Sequence, residues 1–191
     1  MSRKKMQKKT VTKKLIRSAL VTLLKEESLD TITVQQIVDK ALINRSTFYL
    51  HYQDKYDLFD SLVQELLNEL QETLESMPFY DLDAIKRISQ QPEQSLDITD
   101  QFLKHIDTNR DLYTIFITDQ VFQKKFVTMI SDCIYKGNNL PRIITNHIAY
   151  GSTGTILEWL TKDTPYSSAY ISKLLSRFSI VEILEYRNLK L

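Results

Sequence analysis

Thr33-Val34-Gln35-Gln36-Ile37-Val38-Asp39-Lys40-Ala41, then Leu42-Ile43, then Asn44-Arg45-Ser46-Thr47-Phe48-Tyr49-Leu50-His51-Tyr52 is the stretch that decides the fold. Its first run predicts a short helix over residues 34–41. Thr33 and Gln36 have capping-box spacing: the threonine oxygen accepts the Gln36 backbone N–H and the glutamine reaches back. Ile37, Val38 and Ala41 supply the inner face. Leu42-Ile43 reads as a tight turn, and Asn44 suits the N-cap of a second short helix over 45–52. There Phe48 and Tyr52 lie four apart and pack inward, which leaves Arg45, Ser46, Thr47 and Tyr49 to face out. Two short helices about a tight turn form a helix-turn-helix, whose second helix is narrow enough for the DNA major groove. Arg45 can donate bidentately to guanine, and Ser46, Thr47, Tyr49 and His51 can bond phosphates or bases.

The flanks extend the same pattern. Upstream, Val11, Leu15, Ile16, Ala19, Leu20, Leu23 and Leu24 draw an apolar stripe that predicts a helix over 12–27. Downstream, Asp54 caps a long helix over 55–76, carrying Leu58, Leu62, Leu66, Leu70 and Leu74 and stopped by Pro78. Residues 77–92 read as a linker with a short helix. Further helices are expected over 95–108, 110–119, 121–135, 141–161 and 167–187. Lys136-Gly137-Asn138-Asn139 reads as a turn with Gly137 as the C-cap. With only 3 Gly and 4 Pro in 191 residues, breakers are scarce, and an all-α protein is the expected class.

Net charge is +1, which taken alone argues against a nucleic-acid-binding chain. The charge is unevenly spread. Residues 1–55 hold twelve Lys and Arg against five acids, or +7, and residues 56–191 hold 13 against 19, or −6. A basic head on an acidic body fits a nucleic-acid-binding domain, a solvated tail or a membrane-surface patch. Residues 1–9 are expected to be a disordered basic arm. The chain then divides into a helix-turn-helix domain at 10–55, a connecting helix at 56–76 and a C-terminal domain at 77–191.

Other classes drop out. Cys133 is the single cysteine, so neither a disulfide within the chain nor a thiolate zinc cluster is expected. His51, His105 and His147 are too scattered for a metal motif. No glycine-rich phosphate loop, G-x-S-x-G or H-E-x-x-H is present, so no enzyme, cofactor or metal is expected. No apolar run of signal or membrane length appears, so a cytoplasmic protein without membrane association is expected.

The quoted stretch, continued through Gln53-Asp54-Lys55-Tyr56-Asp57-Leu58-Phe59, resembles the DNA-binding domain of TetR-type repressors. Their pattern is a short helix, a turn and Thr-Leu-Tyr-x-His-Phe-x-x-Lys-x-x-Leu. Thr47, Tyr49, His51, Lys55 and Leu58 match it outright, and Phe48 and Tyr52 are conservative variants. The resemblance implies operator-phosphate contacts from Thr47, Tyr49, His51 and Lys55, and base reading by Arg45, Ser46 and Leu50. Thr33, opening the first short helix, joins the DNA-binding set. The family's turn usually carries glycine where Leu42 stands. Either the turn avoids positive φ or the leucine is strained. Farther on, His147-Ile148-Ala149-Tyr150-Gly151-Ser152-Thr153-Gly154 with Glu158-Trp159-Leu160 resembles a Firmicute-type branch that includes regulators of dihydroxyacetone kinase genes.

The resemblance implies a homodimer that reads a palindromic operator on double-stranded DNA and represses transcription. A small molecule or a protein partner would be its effector. Ile148, Gly151, Ile156, Trp159, Leu174 and Phe178 are expected at the dimer interface. Gly151 and Gly154, three apart, would let another helix approach closely. Tyr113, Phe116, Phe122, Phe126 and Tyr150 are candidates for an effector pocket, although aromatics at helical spacing also suit a core. The alternative is a protein-interaction adaptor whose helix-turn-helix does not read DNA.

Overall fold

The computed structural model describes residues 3–76, 82–91, 93–138 and 140–188. Ten helices and no strand occur among the described residues: α1 (Arg3–Leu24), α2 (Val34–Lys40), α3 (Arg45–Tyr49), α4 (Lys55–Glu75), α5 (Leu82–Ser89), α6 (Asp97–Thr108), α7 (Arg110–Phe116), α8 (Gln120–Asn138), α9 (Arg142–Thr161) and α10 (Ser168–Asn188). None of them is long and apolar enough to cross a membrane. The chain forms two compact units that divide between Leu66 and Leu67, inside α4 rather than at either of its ends.

The first unit has a small filled core. Ile16 and Leu20 from α1, Ile37 from α2, Phe48 from α3 and Leu58 from α4 are fully buried together with Ile32. The apolar stripe read along α1 is therefore its inner face, with Val11 and Leu15 left exposed. The helix begins earlier than the stripe. Residues 1–9 were expected to be a disordered arm, but the backbone is helical from Arg3. No glycine or proline interrupts residues 3–14, and lysine, glutamine and methionine are good helix formers, so the helix propagates back from its packed part.

In the second unit α8 packs chiefly on α9, and α10 on α6. Tyr113, Phe116, Phe122 and Phe126 are buried and packed ring to ring, with centroids 5.6–6.0 Å apart. Ile85, Leu96, Leu140, Ile148, Ile180 and Ile183 form another cluster. Polar groups tie these layers. Ser131 meets Thr145 at 2.8 Å and donates to Asn146 at 2.7 Å, and the Leu96 N–H donates to Ser176 Oγ at 3.0 Å.

Two local expectations change. Gly137 does not cap α8, which runs on to Asn138, and Asn139 lies outside the described residues. Gly151 and Gly154 sit in α9 with open space where a Cβ would be, so neither permits a close approach within this chain. Pro78, read as the stop of α4, also lies outside the described residues. The linker stretch holds α5.

Candidate nucleic-acid interface

The helix-turn-helix is built from its caps inward. At the start of α2 both halves of the capping box form. The Gln36 N–H donates to Thr33 Oγ1 at 3.2 Å, and the Thr33 N–H donates to Gln36 Oε1 at 2.7 Å. Thr33 Oγ1 also donates to Gln36 Oε1 at 2.8 Å, so its proton is already committed. Thr33 therefore acts here as the cap that fixes α2. The end of α2 is a Schellman motif: the Leu42 N–H donates to the Asp39 carbonyl at 3.2 Å and the Ile43 N–H to the Val38 carbonyl at 3.0 Å. That motif needs a left-handed residue, and Leu42 takes it, with φ 54°. Of the two alternatives the sequence left open, the strained leucine is the one found. Its side chain is 91% exposed and recovers nothing by burial.

Asn44 occupies the N-cap of α3 in extended conformation, but its side chain makes no capping hydrogen bond. The helix is held from below instead. Phe48 is fully buried, and Tyr49 and Tyr52 pack against it with ring centroids at 5.5 and 5.9 Å. Tyr52, just past the end of α3, is buried, and its hydroxyl accepts from Arg17 Nε at 3.3 Å. Arg17 also donates to Ser61 and pairs with Glu65, so α1 and α4 brace the residue that anchors α3. Burial pulls the Arg17 guanidinium down, and bonds to Glu65 and Tyr52 more than offset it, so its pKa stands above the ordinary arginine value.

With Phe48 and Tyr52 fixed inward, Arg45, Ser46, Tyr49 and Leu50 are exposed, Leu50 by 76%; Thr47 and His51 are half-buried. Arg45 Nη2 donates to the Tyr49 hydroxyl at 3.2 Å, and its guanidinium lies 5.7 Å from that ring. Lys55 is more occupied than the sequence implied. Its ammonium donates to the carbonyls of Asp30 and Ile32, both at 2.7 Å, and so ties the connection before α2 to the start of α4. An ammonium has three N–H groups, which leaves one for an anion. Tyr56 reinforces the tie by donating to Asp30 Oδ1 at 3.2 Å. That bond raises the Tyr56 pKa. Arg17, Asp30 and Tyr56 are supporting residues that the sequence did not reveal, because their partners lie 26 to 48 residues away.

The candidates in the second unit fare differently. The Tyr113, Phe116, Phe122 and Phe126 rings pack against one another, Tyr150 is 65% exposed, and none of the five lines the apolar cavity found among the described residues. Burial pushes the Tyr113 hydroxyl far above the ordinary tyrosine range. Ile148, Ile156 and Trp159, expected at a dimer interface, belong to the chain's own core. Trp159 Nε1 donates to the Tyr166 carbonyl at 2.9 Å, and the Arg110 guanidinium covers its ring at 4.4 Å. Leu174 is half-buried, and Gly151 and Phe178 are exposed. An apolar cavity does exist, among α4, α5, α6, α8, α9 and α10, on other residues. No metal-binding group of His, Cys, Asp or Glu occurs among the described residues.

Comparison with known proteins accords with both units. Residues 16–62 match the family model of bacterial regulatory proteins, tetR family, and residues 93–180 match that of a transcriptional regulator C-terminal region. The chain is 26% identical over 163 residues to an uncharacterized HTH-type transcriptional regulator, YxbF, of Bacillus subtilis. That match covers 83% of this chain, and the chain spans only 42% of the length of that relative. A TetR transcriptional regulator from Streptococcus agalactiae superposes with a TM-score of 0.66 at 22% identity, covering 92% of this chain and 97% of the other. The fatty acid degradation regulator FadR from Bacillus halodurans gives 0.68 at 16% identity, covering 88% and 94%. At these identities the structures share a fold.

Proposed function

Since this chain belongs to the tetR family of bacterial regulatory proteins, we propose that it binds a palindromic operator as a dimer and represses transcription until an effector releases it. The family is one of transcription regulators rather than enzymes. The observation that carries the reading is the split face of α3. Phe48 and Tyr52 are locked in the core while Arg45, Ser46, Tyr49 and Leu50 stand exposed beside them. Arg45 and Ser46 read base edges, with Leu50 offering an apolar contact to a thymine methyl. Thr47, Tyr49, His51 and the remaining N–H of Lys55 hold phosphates.

One such head covers a half-site, so a palindrome needs two. Support for a dimer comes from an exposed face on α9 and α10. Ile143, Tyr150, Phe178 and Val181 are each more than half exposed. Gly151 and Gly154 leave open space on the same helix as Tyr150, and His147 meets Glu182 at 3.6 Å across α9 and α10. This interface replaces the core residues Ile148, Ile156 and Trp159. Release would act through a change in the spacing of two DNA heads, a population shift driven by differential effector affinity.

Selection of bound duplexes from a random pool tests the reading. Two inverted half-sites about one helical turn apart are expected. Enrichment of single, unpaired half-sites contradicts the dimer, and no enrichment contradicts sequence reading.

A further inference from the structure

α3 runs only from Arg45 to Tyr49, and its first and last side chains meet. Arg45 Nη2 donates to the Tyr49 hydroxyl at 3.2 Å, and the guanidinium stands 5.7 Å from the Tyr49 ring centroid, within cation–π range. The tyrosine is itself held. Its ring meets that of Phe48 edge to face, with centroids 5.5 Å apart, and Phe48 is fully buried. A chain of contacts therefore runs from the core through Phe48 and Tyr49 to Arg45 at the surface.

This arrangement orients Arg45 without neutralising it. Arg17, Arg110 and Arg142 each pair with a carboxylate, of Glu65, Asp107 and Asp132 in turn. Arg45 pairs with none among the described residues, and its partner is a neutral hydroxyl. A guanidinium has five N–H groups, so four remain after the bond to Tyr49, and a bidentate hold on guanine O6 and N7 takes two. The tyrosine oxygen accepts from Arg45 and keeps its own proton for a phosphate. A free arginine gives up many rotamers when it binds a base, and one already held gives up fewer. A held guanidinium is also less free to swing to another acceptor when guanine is replaced, so a mismatch leaves its donors unpaired.

We propose that Tyr49 positions Arg45 for base reading, so that the tyrosine hydroxyl sets how sharply the operator is discriminated at the base pair under Arg45. The assignment rests on the reading that α3 enters the major groove, and it gives Tyr49 a role in specificity besides its phosphate contact. In that role Tyr49 acts through Arg45 and touches no base. The two roles are separable. A phosphate contact acts on every duplex alike, whereas positioning acts at one base pair and only while Arg45 is present.

Competition titrations of the full chain with the selected duplex and its single-base variants test the proposal. Arg45→Ala identifies the base pair concerned, as the one where discrimination falls. Tyr49→Phe keeps the ring and removes only the hydroxyl. It is expected to lower discrimination at that base pair about fivefold, the scale of one net hydrogen bond, and to leave the ratios at other base pairs unchanged. A lost phosphate contact lowers all affinities by one factor and cancels in these ratios. Adding Tyr49→Phe to Arg45→Ala is expected to change no ratio further. Tyr49→Ala removes the ring as well and is expected to lower discrimination at that base pair at least as much. Four results each overturn the proposal: an Arg45→Ala loss spread evenly over all duplexes, full discrimination at the Arg45 base pair in Tyr49→Phe, an equal loss of discrimination at every base pair, or the same loss with Arg45 absent. A wild-type chain without sequence preference defeats the α3 reading and the proposal with it. A preference that Tyr49→Phe leaves intact defeats the proposal alone.

Discussion

The two units use their cores in opposite ways. The first buries Ile16, Leu20, Ile37, Phe48 and Leu58 fully and puts its working groups outside. Phe48 is fully buried one residue away from Tyr49, which is 48% exposed. The second buries its largest aromatics against one another and leaves a space beside them. Charge follows the same division. Up to Leu66 the chain carries twelve cations and eight acids, or +4, and from Leu67 onward 13 cations and 16 acids, or −3. Recognition of a polyanion needs rigid outward cations.

Breaking the filled core should cost most. Phe48→Ala is expected to destabilise the first unit by about 3–5 kcal/mol, because a large aromatic is removed from a site with no room to relax. Protection of α2 and α3 amides in hydrogen exchange should collapse while protection in α8 and α9 persists. Equal loss in both units would show that they do not unfold separately.

Removing an outward group should leave stability alone. Arg45→Ala is expected to cost about 1–3 kcal/mol of discrimination at one base pair. The melting curve should shift by no more than about 0.5 kcal/mol, the ordinary scale for surface positions. Competition between the selected duplex and single-base variants measures this. A uniform loss at all sequences would make Arg45 a phosphate contact instead.

The smallest change should be a gain. Leu42 holds the left-handed position of the α2 Schellman motif with its side chain in solvent. Leu42→Gly removes a strain of about 1–2 kcal/mol but adds glycine's unfolded-state entropy, so a net stabilisation of about 0.5–1 kcal/mol is expected. Denaturant melting with unchanged operator affinity would bear this out. A loss of affinity would mean that the exposed leucine itself touches DNA.

What the sequence disclosed follows the same contrast. Capping pairs, apolar stripes and breakers are local, so the capping box at Thr33 and Gln36 and nearly every helix of the second unit were legible. The α3 face was legible too, because Phe48 and Tyr52 identify inward positions by spacing alone. Lys55 was misjudged in part: its carbonyl partners at Asp30 and Ile32 arrive through tertiary folding. The aromatic effector candidates pack against one another for a physical reason. Large aromatics at helical spacing fill space, and a cavity appears where side chains fail to meet, a property of several helices at once. Trp159 and Ile148 were misplaced likewise, since one apolar stripe cannot tell an inner core from a second copy's surface.

The central claim is that the first unit is a DNA-binding head. Its most direct test is the affinity of the full chain for a random duplex as salt is raised. In the proposed dimer Lys55 of each of two heads neutralises a phosphate, which implies a log–log slope of about −1.8 or steeper, since each neutralised phosphate contributes about −0.9. A straight line of that steepness is the predicted result. A flat dependence, or no binding at low salt, would contradict it and leave the outward face of α3 to a protein partner.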